Sequence, residues 1–371
     1  AYAFQSFAIF DMPLEWFNPT WRGVLLWTIA MIGWDFCYYW SHRCGHEISI
    51  LWASHAVHHQ SEDYNLSTAL RQTSTGFLFG WIFYLPLFLA GFPPEVLITV
   101  NALNLIYQFW VHTRFVGKLG WFDRVFVSQS NHRVHHAQNA IYIDRNYGGI
   151  FILWDRLFGT FQEELDDEPV VFGVRKPLAS WNPFWANLQV YSYLWFDAVR
   201  TKRWRDKIGI WFRRTGWRPP DVEAMYPKAH NDLATFRKFD PPMSGGLRRY
   251  VLAQFLVAVL TVLWIGNLYA AHGLAEVIVP CALLWIQLYS IGLLTERKKY
   301  AVRFELIRLV CLLPLGLLAL AAWSTAVRGD ALVWSLLGAY LAGSLAGLQF
   351  LGDRQADIAP AAPAPVAVAD E

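Results

Sequence analysis

Apolar residues run in long, nearly uncharged stretches along this chain, interrupted by one extended polar interval and followed by a tail rich in Ala and Pro. A helix that crosses a bilayer needs about 20 mostly apolar residues. Seven stretches approach that length: 21–40, 76–91, 96–111, 250–271, 277–294, 306–326 and 331–351. The pair 76–91 and 96–111 is separated only by a turn at Pro93-Pro94, which predicts a helical hairpin whose short first arm could instead be re-entrant. Trp and Tyr near many of the ends suit an interfacial aromatic belt. The fold class this predicts is all-α, a multi-pass transmembrane helical protein.

Composition sharpens that reading. Of 371 residues, 55% are hydrophobic and 16% charged, against about 25% charged in soluble domains. Buried helices of a soluble core would not produce four long apolar stretches in a row at the C-terminal end. Basic and acidic residues nearly balance, 31 against 29, so nothing suggests nucleic acid as a partner. The four Cys (Cys37, Cys44, Cys281, Cys311) have no paired spacing and predict neither disulfides nor a thiolate metal site. Residues 1–20 form an N-terminal segment without a basic leader. They begin with Ala rather than Met, so a missing upstream helix is one expectation. Residues 352–371 read as a disordered tail.

The expected organisation is therefore a segment at 1–20, a catalytic domain with three membrane helices at 21–165, a basic Trp-rich region at 166–249, a four-helix membrane domain at 250–351, and the tail. Between 175 and 249, fifteen Lys or Arg stand against six Asp or Glu, interleaved with Trp181, Trp185, Trp195, Trp204, Trp211 and Trp217. That pattern fits amphipathic helices lying on an anionic membrane surface, or the solvated face of a cap. Arg248-Arg249 and Arg297-Lys298-Lys299 mark the cytoplasmic side, with Arg22 and Arg328 opposite.

Histidine carries the chemistry. Nine of eleven His lie between positions 42 and 136: His42 and His46; His55, His58 and His59; His112 alone; and His132, His135 and His136. Residues three and four apart share a helix face, so each group can offer two or three imidazoles to one point. The hairpin returns the chain to the side it left, which brings the groups to one membrane boundary. Neutral imidazole ligates iron, zinc and copper, and eight or nine of them exceed one coordination shell, which predicts two metals. His112 could instead be merely interfacial, while His230 and His272 read as ordinary polar residues. A structural zinc closes with four ligands, and bis-His haem wants single His inside the bilayer. Two irons that activate O2 fit best, with a haem electron carrier or a transporter holding a structural metal as rivals of other classes.

At these residues the sequence resembles the membrane fatty acid hydroxylase/sterol desaturase superfamily, defined by HxxxH, HxxHH and HxxHH. It resembles the alkylglycerol monooxygenases within it through WDFCYYWSHRCGHE (34–47), HHQSEDYNLSTALRQ (58–72), LIYQFWVHT (105–113), NHRVHH (131–136) and DRNYGG…WDRLFGTF (144–161). The resemblance implies a di-iron monooxygenase that hydroxylates the ether-bearing carbon of alkylglycerol lipids, giving fatty aldehyde and glycerol. Hydroxylation or desaturation of a sterol or fatty acyl chain on the same scaffold is the alternative. It implies tetrahydrobiopterin as electron donor, with a redox protein the other option, and a role for Glu47, which directly follows HxxxH. Asn131 stands where the animal enzymes lead one to expect another His.

Glu47 could also hydrogen-bond a ligand's second nitrogen, bind a cationic cofactor ring, or be a solvated helix charge. Asp35, in an apolar helix, needs a partner. Asn65, Arg71, Asp144, Arg145, Asn146 and Asp155 read as orienting or structural, and Gly148, Gly149 and Gly159 as turn formers. The remaining expected partners are the bilayer, a lipid and, left open, a second copy. The site is expected on the cytoplasmic side, in the endoplasmic reticulum of a eukaryote or the inner membrane of a bacterium.

Overall fold

A computed structural model describes residues 7–227, 232–324 and 328–349. The predicted tail at 352–371 and His230 lie outside the described residues. Helices dominate, and among the described residues there are no strands, only isolated antiparallel bridges such as Ile48 with Arg214 and Ala137 with Phe172. The chain divides into two compact units, one of residues up to 178 together with 187–236, the other of 179–186 and 237 onward.

In the first unit, α1 (Trp21–Glu47) is 27 residues long, about 40 Å at the helical rise. Thr20 caps it by accepting from the Gly23 N–H at 3.2 Å. The helix stops at Ile48, whose extended backbone turns the chain directly into α2 (Ser49–His59). Helix starts leave backbone N–H groups without partners, and here the 211–213 segment supplies them. Ser49 N–H donates to Arg213 O at 3.0 Å and Ile50 N–H to Trp211 O at 2.9 Å. A corner between two His-bearing helices is thereby pinned by main chain. Then come α3 (Pro94–Val111), started by Pro93-Pro94, and α4 (Gln129–His135), capped by Ser128.

The segment before α3 departs from expectation. Instead of one hairpin arm over 76–91, it forms two 3-10 turns (Gly76–Leu78 and Gly80–Tyr84) and a short helix (Leu85–Ala90). Gly76, Gly80 and Pro86 interrupt regular helix there. Its apolar side chains still pack on α1, where Trp34 stacks on Tyr84 with ring centroids 4.0 Å apart.

The 150–154 segment docks on α1 and α3 through Asp35, which is fully buried. Its carboxylate accepts from Ile150 N–H at 2.7 Å, Phe151 N–H at 3.0 Å, Trp154 Nε1 at 3.0 Å and Asn104 Nδ2 at 3.0 Å. That is the partner a carboxylate in an apolar helix requires. Gly149 permits the approach: a Cβ there would lie 2.6 Å from Asp35 Oδ1 and 2.9 Å from Asn104 Nδ2. The expected turn role of Gly159 holds too, at φ +73°.

After α5 (Pro183–Arg200), the second unit holds α6 (Gly245–His272), α7 (Leu274–Thr295), α8 (Ala301–Ala322) and α9 (Ala331–Gln349). Each is long and apolar enough to cross a membrane, and among the described residues these four alone meet that measure. The chain is an integral membrane protein. Asp35, Asn101, Asn104 and Gln108, together with Trp and Tyr, hold α1 and α3 to lower apolarity than the hydrophobic runs alone suggested.

The apolar pattern of the second unit conceals a buried polar cluster. In α8, Glu305 and Arg308 pair at 2.6 Å, both almost fully buried. Tyr250 and Ser290 hydroxyls donate to the Glu305 carboxylate at 2.5 and 2.6 Å. Arg308 also donates to Gln254 Oε1 at 3.0 Å and Tyr340 Oη at 2.9 Å. A π-helical turn begins at Arg308, and one network ties all four helices together.

Candidate metal centre

The corner at Ile48 and the cap at Ser128 set the directions of the histidines. Every one of the nine predicted residues falls into one of two groups. His42, His46, His55, His59 and His135 form the first, and His58, His112, His132 and His136 the second, with one nitrogen from each residue lying within 4.8 Å of all others in its group. The separation runs through the motifs: His58 and His59 are neighbours in sequence yet serve different groups. His112, expected to be the least secure, sits 3.1 Å from His132 and 3.3 Å from His58, Nε2 to Nε2. His272 ends α6, far along the chain from either group.

The ring tautomers follow from the outer contacts. His42 Nδ1 is 2.9 Å from Tyr147 O, His135 Nδ1 2.9 Å from Arg145 O, His58 Nδ1 3.1 Å from Arg71 O and His112 Nδ1 2.6 Å from Gln108 O. A carbonyl only accepts, so each Nδ1 carries the proton, and in a neutral ring Nε2 is left with a lone pair. Burial, with the neighbouring imidazoles, holds His55, His59, His132, His135 and His136 well below the usual histidine range and pushes His58 down to about 3. The rings are neutral near pH 7.

The lone pairs then face one another. His58 and His112 turn two acceptors together at 3.3 Å with no proton between them. In the other group, Nε2 of His42 and of His59 both stand 3.0 Å from that of His55, which has at most one proton to give. Nitrogens bonded at about 2.1 Å to one transition-metal ion, at right angles, stand about 3.0 Å apart. The donor set therefore fits a cation at each group, and soft-to-borderline nitrogen donors suit iron-type metals.

A loop of alternating backbone conformations delivers two of the carbonyls. Asp144 and Asn146 both have positive φ, 58° and 55°, a conformation Asn and Asp tolerate better than most. Between and after them come the carbonyls of Arg145 and Tyr147. Asn146 locks the loop by donating to Asn131 O at 3.0 Å and Gln162 O at 2.7 Å. Asp155 accepts from the N–H groups of Tyr147 and Gly148 at 2.7 and 2.8 Å and from Thr160 Oγ1 at 2.6 Å. Asn65 caps a short helix, Leu66–Leu70, that ends at Arg71. The orienting role expected of this set is thus carried largely by main chain, a contribution that side-chain motifs do not advertise. Asn131 does structural work, donating to Asp123 O and Phe126 O at 3.1 and 3.2 Å.

Glu47 lies outside both groups. Its carboxylate accepts from Arg43 Nε at 3.1 Å, and its side chain is 30% exposed. The carboxylate nearest His46 Nδ1 is that of Asp144, at 4.0 Å. Sequence reasoning also passed over Tyr64, which stacks on His112 and donates to Val111 O at 2.9 Å. A cavity of about 140 Å³ borders the five-histidine group at His42 and His55, its far wall formed by the broken 76–83 segment.

Residues 27–160, which contain both groups, match the family model described as fatty acid hydroxylase. Alkylglycerol monooxygenase of Danio rerio is 36% identical over 320 residues, covering 85% of this chain and 68% of that protein. The chain belongs to the fatty acid hydroxylase family. Alkylglycerol monooxygenase of Homo sapiens is 34% identical over 85% of this chain and 68% of its own length. The ornithine lipid hydroxylase OlsE of Rhizobium tropici is 28% identical over 34% of this chain and 39% of that protein. No solved structure matches the chain. Family membership makes the protein an oxidoreductase of the monooxygenase kind, as the three His motifs led one to expect.

Proposed function

We propose that the protein is a membrane di-iron monooxygenase that uses O2 to hydroxylate the ether-bearing carbon of alkylglycerol lipids, giving fatty aldehyde and glycerol. The carrying observation is the pair of imidazole groups, whose inward lone pairs call for two cations, in a chain similar along most of its length to alkylglycerol monooxygenases. His42, His46, His55, His59 and His135 hold one iron, and His58, His112, His132 and His136 the other. Iron bound there supplies the activation of O2.

The rest belongs to this chain's own groups. The carbonyls of Tyr147, Arg145, Arg71 and Gln108 keep four rings in the ligating tautomer. The cavity beside His42 and His55 offers space for a lipid segment next to the five-histidine group. In the reaction, one oxygen atom of O2 is inserted into a C–H bond of the carbon beside the ether oxygen, giving a hydroxyl there. The other leaves as water, with two electrons and two protons from the reductant. The hemiacetal then breaks its bond to the glycerol oxygen, which takes up the hydroxyl proton. Tetrahydrobiopterin is the proposed reductant, and Glu47, half-exposed beside Arg43, is its proposed contact.

Under this reading α1 and α3 sit in the membrane with the four apolar helices, and the site faces the cytoplasm. Exposed Trp195, Trp204 and Phe212 lie at the interface with the flanking basic residues.

The test adds tetrahydrobiopterin and an alkylglycerol to the iron-loaded full chain and assays fatty aldehyde. Aldehyde formation is expected, and its loss, together with iron, in His58→Ala and His135→Ala. An iron-loaded protein that oxidises a sterol or acyl chain but no ether would overturn the substrate. A fully active histidine variant would overturn the site.

A further inference from the structure

The four-helix unit is electrically lopsided. Its helices run up and down, α6 passing into α7 through Gly273 alone, and the Tyr250–Glu305 bond sets the start of α6 beside the start of α8. At this rim stand Arg248 and Arg249 in the opening turns of α6, Lys298 and Lys299 between α7 and α8, and Arg303 in the first turn of α8. Lys298 is neutralised by Glu296 at 3.0 Å. Arg248, Arg249, Lys299 and Arg303 are exposed, and among the described residues no carboxylate pairs with them. The opposite ends carry a single cation, Arg328, with the acids Glu276 and Asp330.

Helices do not favour this placement. The start of a helix is the positive end of its dipole, where acids stabilise and cations repel. Neither α6 nor α8 has an acid in its first turn, so four unpaired cations gather at two positive helix ends. An anion at this rim relieves that repulsion.

The surface below the cations indicates which anion. Arg249, Leu252 and Leu256 share a helix face by spacing, as do Arg303, Leu306, Ile307 and Val310. The five apolar side chains are each about half exposed, in helices long and apolar enough to cross the membrane. Each arginine thus heads a strip of lipid-facing hydrocarbon. A soluble phosphate would use the cations and leave the strips idle. A phospholipid uses both, with its phosphate at the arginines and its chains along the strips. Exposed Tyr300 suits the headgroup level between them.

We propose that the rim formed by Arg248, Arg249, Lys299 and Arg303 is a binding site for the phosphate headgroup of an anionic phospholipid. The site belongs to the four-helix unit alone and is independent of the metal centre and its substrate.

The experiment uses the delipidated, metal-loaded full chain in detergent, titrated with dioleoylphosphatidylglycerol or dioleoylphosphatidylcholine, with bound lipids counted by native mass spectrometry. Near a membrane surface each basic residue changes the affinity for anionic lipid about fivefold. The wild type should therefore hold its first phosphatidylglycerol at least about fivefold more tightly than phosphatidylcholine. Replacing the four residues together with Gln should bring the two lipids within about twofold. A variant with Arg248→Lys, Arg249→Lys and Arg303→Lys keeps the charge and should keep the preference, which separates charge from a folding defect. Changing Lys202, Arg203 and Arg205 of the first unit to Gln should leave the first lipid in place. Glycerophosphoglycerol, the same head without chains, should not displace it. A wild type without preference, a preference that survives the four Gln changes, or one lost with Lys202, Arg203 and Arg205 instead overturns the site. Displacement by the chainless head at equal concentration overturns the lipid as its occupant.

Discussion

Asp155 touches no imidazole, yet its replacement should distinguish the two metal groups. Its carboxylate holds the Tyr147 and Gly148 N–H groups at 2.7 and 2.8 Å and the Thr160 hydroxyl at 2.6 Å. The Tyr147 carbonyl in turn fixes His42 Nδ1 at 2.9 Å. Asp155→Ala would leave two buried N–H groups unmatched, each worth about 1–3 kcal/mol, and the loop will move to satisfy them. Once the Tyr147 carbonyl moves, His42 loses the contact that fixes its tautomer. Outer partners of this kind change metal affinity by about 10- to 100-fold, or about 1.4–2.8 kcal/mol. The four-histidine group takes its outer contacts from Arg71 and Gln108 and should be untouched. Chelator titration of the iron-loaded protein, followed by metal analysis, reads this directly. On the proposed two-iron reading, the wild type should release both metals over a narrow range, and Asp155→Ala should release one of them at about 10- to 100-fold lower chelator. Asp155→Asn keeps an acceptor oxygen and should fall between. Loss of both irons together, or of neither, would refute the link from Asp155 through Tyr147 to His42.

Two further outcomes follow from packing. In the second unit, Arg308→Met strands the Glu305 carboxylate and should cost about 3–5 kcal/mol, while Glu305→Leu with Arg308→Met should recover much of it; thermal unfolding in detergent would show a double variant more stable than the single. Gly149→Ala places a Cβ 2.6 Å from Asp35 Oδ1 and should cost about 1–3 kcal/mol by overpacking, whereas Gly117→Ala, with nothing within 4 Å, should leave the melting temperature within about a degree.

The histidines were legible because metal chemistry demands particular side chains, and helical spacing gives them a shared face. What spacing could not show is how they divide. His58 and His59 are adjacent, and only the corner at Ile48 and the course of α2 send one to each group. The four apolar helices were legible for a similar reason, since hydropathy is a property of residues in sequence. The 76–91 segment was misread because an apolar run is compatible with helix, 3-10 turn or both, and Gly76, Gly80 and Pro86 decide the matter only when packed against α1. Glu305 and Arg308 were passed over because the first stands just before the apolar stretch 306–326 and the second scarcely lowers its average. Their pairing, and the Tyr, Ser and Gln that meet them, depend on three other helices.

The four Nδ1 hydrogen bonds of His42, His135, His58 and His112 are made to main-chain carbonyls, and the one carboxylate near an Nδ1, that of Asp144, stands 4.0 Å from His46. A carboxylate partner would raise ligand basicity and could itself take up a proton. A carbonyl does neither strongly, but it cannot accept the wrong tautomer, because it has no proton to donate. The site thereby holds its lone pairs inward by backbone geometry, at Asp144–Tyr147, at Arg71 after a short capped helix, and at Gln108 one turn before His112. That arrangement carries a cost when no cation is bound, since inward lone pairs repel one another at about 3 Å. Loops with positive φ at Asp144 and Asn146, locked by Asp155 and Gln162, are what hold the rings against that repulsion. The residues after the third His motif, read from the sequence as orienting or structural, are in physical terms part of the frame that holds these rings so close.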